Sequence, residues 1–81
     1  MNIMVKYHGI IGDMLERKVQ TVTLADGATV GDLVQHLTGE DDTEAAILKQ
    51  TRPFIDGQQA DRAGVLHDGA EVIFMRPIAG G

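Results

Sequence analysis

Leu66-His67-Asp68-Gly69-Ala70-Glu71-Val72-Ile73-Phe74-Met75-Arg76-Pro77-Ile78-Ala79-Gly80-Gly81 contains a turn, a strand, a stop signal and a bare chain end in unbroken succession. His67-Asp68-Gly69 reads as the turn. Glu71 to Arg76 then reads as a strand, with Val72 and Phe74 on one face and Ile73 and Met75 on the other. Pro77 removes a ladder donor and ends it, leaving Ile78-Ala79-Gly80-Gly81 as a short tail. Both faces of this strand are apolar. One covers a core; the other either meets a partner or lies under a second helix. Two terminal glycines form a thin extension without side chains, able to thread a narrow channel and carry an α-carboxylate to a distant site.

Working outward, the best-marked element is a helix. Val30, Leu33, Val34 and Leu37 recur at i, i+3, i+4, i+7, Thr29 offers a capping hydroxyl, and Asp32 suits the positive N-terminal end. Gly39 stands where a left-handed C-terminal residue is wanted. Toward the N-terminus, Asn2 to His8 alternates, with Ile3, Val5 and Tyr7 on one face. Lys18 to Leu24 alternates as well, so two antiparallel strands precede the helix, joined through Gly9-Ile10-Ile11-Gly12, read as a strand-ending loop. After the helix, the acidic Glu40 to Glu44 leads to a short second helix from Thr43 over Ala45 to Leu48. Arg52 to Asp56 gives another strand, Asp56-Gly57 a tight turn, and a polar run follows to Arg62. This order predicts a small α+β fold: a mixed sheet with one main helix packed across it and a short second helix.

Eighty-one residues give one domain, expected over residues 1–76 with 77–81 as a flexible tail. The composition has no cysteine, which excludes disulfides, thiol nucleophiles and Cys-ligated metal sites and points to a cytoplasmic address. A net charge of −5 is the wrong sign for a nucleic-acid partner, and no apolar run suggests a membrane span. It also suits a partner with a basic mouth. His8, His36 and His67 lack metal-ligand spacing and read as surface histidines, so no metal is expected. There is no serine, no dinucleotide or phosphate-binding loop, and no visible nucleophile, so the chain is not expected to be an enzyme on its own.

The stretch from Leu66 to Gly81 resembles the ending of MoaD-like sulfur carriers, the small subunits of molybdopterin synthase in the MoaD/ThiS family of ubiquitin-like proteins. There an L-x-D-G-D-E-V-x-F-x-P-P-V-x-G-G pattern closes a β-grasp fold. Thr29-Val30-Gly31-Asp32-Leu33 is similar to the family's T-V-x-x-L helix start, and Phe54-Ile55-Asp56-Gly57 sits at its V-N-G-type strand and turn. Ala70 replaces a usual acidic residue and Arg76 the first of two usual prolines. The resemblance implies that a ubiquitin-activating-type adenylating enzyme uses ATP to activate the Gly81 carboxylate as an acyl-adenylate. A sulfur donor then converts it to a thiocarboxylate. The sulfur would pass to a pterin precursor in the large synthase subunit, during molybdenum cofactor biosynthesis. Gly81 would be the functional group, and Gly80, Ala79, Ile78, Pro77 and Met75 would contact partners. The chain itself would bind no cofactor.

Three alternatives stay open. Ile78-Ala79-Gly80-Gly81 also matches the I-A-G-G ending of ThiS-like carriers for thiazole synthesis, although those chains are typically shorter and lack the acidic insert and second helix. A ubiquitin-like modifier would join Gly81 to lysines through isopeptide bonds. The third is an interaction module with an inert tail.

Overall fold

The computed structural model describes residues 1–16 and 18–76. Alternation builds the first strand, β1 (Asn2–Tyr7), whose Ile3, Val5 and Tyr7 are buried while Asn2 and Met4 are exposed. A short helix, α1 (Ile10–Leu15), leads to β2 (Val19–Thr23), antiparallel to β1 with Ile3 opposite Val22. The main helix α2 (Val30–Thr38) follows, then α3 (Asp42–Lys49), β3 (Arg52–Ile55), β4 (Gln58–Gln59) and β5 (Glu71–Met75). The sheet order is β2-β1-β5-β3-β4. β1 and β5 pair in parallel at its centre, Val5 opposite Val72 and Tyr7 opposite Phe74, while the remaining pairs are antiparallel.

The spacing read in the sequence becomes the core. Val30, Leu33, Val34 and Leu37 of α2 pack with Ile3, Val5, Val72 and Phe74 from the two central strands, and Leu48 of α3 joins them. The start of α2 is a reciprocal capping box: Thr29 Oγ1 accepts from the Asp32 N–H at 3.2 Å, and Asp32 Oδ2 accepts from the Thr29 N–H at 2.9 Å. Gly39 closes this helix at φ 52°, ψ −118°, a positive-φ conformation but not the left-handed helical one expected.

Several expectations need correction. Gly9 to Gly12 does not form a loop: α1 begins at Ile10 and buries Ile11 and Leu15 one helical turn apart. Its length of six residues, its internal Gly12 and the lack of a capping side chain at Gly9 leave no clear helix signal. α3 starts at Asp42, one residue before Thr43, because Asp41 is the cap and accepts from the Glu44 N–H at 3.0 Å. β3 stops at Ile55, since Asp56 at φ 49° and Gly57 at φ 86° make the tight turn. The polar run beyond contains β4, two glutamines that pair with Phe54 and Ile55. β5 ends at Met75, with Arg76 just outside it.

Candidate functional site

β5 is buried on one face only, with Val72 and Phe74 inside and Ile73 and Met75 half-exposed outside. Register defines what surrounds them on the outward face. Lys6 lies opposite both Val19 and Ile73, Ile73 opposite Phe54, and Met75 opposite Arg52. Met4 (43% exposed) and Val19 (60%) extend the apolar area toward β2. Helices cover the other face of the sheet, and none of the described helices covers this one. The second helix therefore packs into the core through Leu48 and leaves the outward face of β5 open.

Among the residues expected at the site, Met75 sits at the end of β5 beside Arg52, at the sheet end from which residue 77 follows. Pro77, Ile78, Ala79, Gly80 and Gly81 lie outside the described residues. Phe74, on the strand face opposite Met75, is 2% exposed and stacks on Tyr7 with ring centroids 6.0 Å apart. Ala70, the departure from an acidic residue, is fully buried, and its carbonyl accepts from the Met4 N–H at 2.9 Å. No group of three or more His, Cys, Asp or Glu side chains is placed to hold a metal among the described residues. No described helix is long and apolar enough to cross a membrane.

Met75→Lys tests the outward face. Since Met75 is half-exposed, the substitution should move the melting temperature by less than about 4 °C. If a protein partner docks on this face, its binding should weaken about tenfold. Calorimetry beside a binding titration separates the two effects.

At the opposite sheet end, His67 is more than the lone surface histidine expected. Its Nε2 lies 2.6 Å from Asp56 Oδ2 and its Nδ1 lies 2.9 Å from the Asp68 carbonyl. Both partners only accept, so the ring can donate to both at once only when it is protonated. Asp56 Oδ1 also accepts from the Glu71 N–H at 3.0 Å. The Asp56 bond, followed by the Asp68 carbonyl, raises the His67 pKa above 6.5; the Glu71 N–H, followed by His67, lowers Asp56 below 3.8. The raised His67 pKa adds stability that is complete below the unfolded value and lost as pH rises through the folded one. The lowered Asp56 pKa adds stability that is complete above its unfolded value and lost as pH falls through the folded one. His67→Gln should therefore melt below the parent at about pH 5, and the gap should close by about pH 9. A gap constant across that range would refute the pairing. The sequence marked Asp56-Gly57 and His67-Asp68-Gly69 only as two separate turns.

A mixed sheet with parallel central strands and a helix across one face defines a ubiquitin-like β-grasp protein, with the fold of sulfur carriers and ubiquitin-like modifiers. The chain belongs to the ThiS family, which it matches over residues 5–81. Among solved structures it is similar to the HVO 2177 protein of Haloferax volcanii, at 25% identity and TM-score 0.80, covering 100% of this chain and 87% of that one. SAMP1 from Haloferax volcanii is similar at 18% identity and TM-score 0.78, with both chains covered in full. So is a chain of the complex of subunits 1 and 2 of the molybdopterin-converting factor from Helicobacter pylori 26695, at 17% identity and TM-score 0.73, again with full coverage of both. No curated protein matches the sequence.

Proposed function

We propose that this chain is a sulfur carrier whose Gly81 carboxylate is adenylated with ATP by a ubiquitin-activating-type enzyme and then converted to a thiocarboxylate. The observation that carries this reading is the family match, which runs through Gly80-Gly81 rather than stopping at the folded domain. A carboxylate is a poor acyl donor until it is joined to a good leaving group, here AMP, and sulfide equivalents from the donor then displace that group. The thioacid formed is a strong sulfur nucleophile. The chain supplies no acid or base of its own in this scheme; it is a protein cosubstrate of the cytoplasm, with a globular domain over residues 1–76 and its reacting group at Gly81.

The acceptor we propose is a pterin precursor in a large molybdopterin synthase subunit. The likeness to a chain of the two-subunit molybdopterin-converting factor supports this, as does α3, the helix that shorter thiazole carriers lack. Pro77, Ile78, Ala79 and Gly80 would lie in the partner's groove with Met75 at its mouth. The likeness to SAMP1 favours a second reading, in which lysine amines take the acyl group. Incubating the chain with its activating enzyme, ATP and a sulfur donor should replace one oxygen of Gly81 by sulfur, read by mass spectrometry. Sulfur transfer to a pterin with return of the plain carboxylate supports the synthase role. Isopeptide linkage of Gly81 to lysines would establish the modifier instead, and recovery of the untouched chain would refute activation altogether.

A further inference from the structure

The formal charge of −5 conceals a strongly polarised sheet. At the end where β5 runs out, the Tyr7 N–H donates to the Lys18 carbonyl at 3.0 Å and the His8 N–H donates to the Phe74 carbonyl at 3.0 Å. Arg52 is the register partner of Met75, and Arg76 follows directly. In sheet order β2-β1-β5-β3, this end therefore presents Lys18 just before β2, His8 just after β1, Arg76 just after β5 and Arg52 at the start of β3, all exposed. Four strands at about 4.8 Å spacing place them across roughly 15 Å. Lys18, Arg52 and Arg76 make no ion pair with any described residue. The opposite end carries Asp26 after β2, Asp68 and Glu71 around the start of β5, and Asp56 after β3. There the chain's cations are used internally: the Met1 amine lies 3.7 Å from Asp26, and Lys6 lies 3.0 Å from Glu71. Arg76 also lines a cavity with Ile11 and Met14 of α1 and Thr43 and Ala46 of α3. The carboxylates nearest in sequence, Asp13 of α1, Glu16 at its C-cap and Asp42 and Glu44 of α3, lie on that helical side of the same end, and none of them forms an ion pair with Lys18, Arg52 or Arg76.

We propose that Lys18, Arg52 and Arg76 form a docking rim around the exit of the tail, fitted to a protein partner whose channel mouth is lined with carboxylates. This rests on the carrier reading and names the chemistry of its partner. It reverses the expectation of a basic mouth, which followed from net charge alone. At about 0.1 M salt the screening length is about 10 Å, while the acidic end lies roughly a five-residue strand, about 17 Å, away. A partner closing around the tail therefore feels the rim and little of the far end. The rim also orients approach, because the acidic end is repelled by the same carboxylates. Arg52 beside Met75 gives the outward apolar patch a charged border, the usual build of a protein interface.

The test is ATP–pyrophosphate exchange by the chain's own activating enzyme, with the full chain as substrate. Arg52→Glu and Lys18→Glu should each raise KM for the chain about tenfold in low salt with kcat retained, and the gap should shrink to under about threefold in 0.5 M salt. Asp26→Lys alone should leave KM unchanged. Combining Arg52→Glu with Asp26→Lys restores the net charge, so the defect should persist; a restored KM would mean that whole-molecule charge steers encounter and would overturn the rim. Exchange abolished by deleting Gly81 yet indifferent to both rim variants would overturn the rim and leave the carrier reading standing. Exchange absent with the parent chain, or indifferent to that deletion, would overturn both. Binding of a fluorescent single-stranded oligonucleotide that is lost in Arg52→Glu would assign the rim to phosphates and overturn the protein partner.

Discussion

Deletion of Gly81 abolishes thiocarboxylation and leaves the melting temperature within about 2 °C of the parent; this is the expected result if the chain is a carrier. The functional half of the expectation follows from chemistry. Adenylation requires the terminal carboxylate at the activating enzyme's reacting phosphate, and a chain one residue shorter holds it about 3.5 Å back. No neighbouring side chain can substitute, since Gly80 has none and Ala79 carries only a methyl group. The stability half follows from packing. The core cluster closes between Ile3 and Phe74, and glycine has no side chain to bury in it. A drop of several degrees would place Gly81 in the fold and count against a free acyl end. Retained thiocarboxylation would remove the carrier reading and leave the interaction module. Mass spectrometry of the reacted chain and a thermal melt of the same sample give both answers.

What could be read beforehand divides by range along the chain. Thr29, Asp32 and the Val30-Leu33-Val34-Leu37 stripe lie within one short window, and the helix formed there as the pattern required, with a capping box in place of a simple cap. α1 was hidden because its stabilisation is tertiary: Ile11 and Leu15 are held by the core, not by a capping side chain. β4 was hidden because two glutamines carry no strand preference, and only pairing with Phe54 and Ile55 makes them a strand. At the candidate site, Met75 was legible as an outward residue from alternation. The importance of Gly81 came from resemblance rather than from any local physical signal, since a Gly-Gly ending is compatible with a plain chain end. The contacts that needed three dimensions were the bond from His67 to Asp56 and the line of Lys18, Arg52 and Arg76. These come from distant stretches joined only by sheet register. A charge total is blind to such order, because reversing every strand end would leave it at −5.

The largest loss of stability is expected for Phe74→Ala. Phe74 is among the largest fully buried side chains, lies opposite Tyr7 on β1 and Pro53 on β3, and stacks on the Tyr7 ring. Truncating a buried phenylalanine costs about 3–5 kcal/mol, while a domain of this size has about 4–12 kcal/mol in all. At roughly 4–8 °C per kcal/mol, the melting temperature should fall by more than about 12 °C. Phe74→Leu, which keeps most of the volume, should lose much less. Because Phe74 directly precedes Met75, either substitution could also alter the partner face, and one comparison separates the two effects. Exchange activity is measured below the melting temperature of the alanine variant and divided by the folded fraction from circular dichroism. Equal activity per folded molecule means that Phe74 serves the fold alone, with its outward neighbours carrying recognition. A deficit per folded molecule in Phe74→Ala that Phe74→Leu restores would mean that core packing under β5 sets the position of Met75 and Arg76. In that case the carrier's interior and its docking rim would be one mechanical unit.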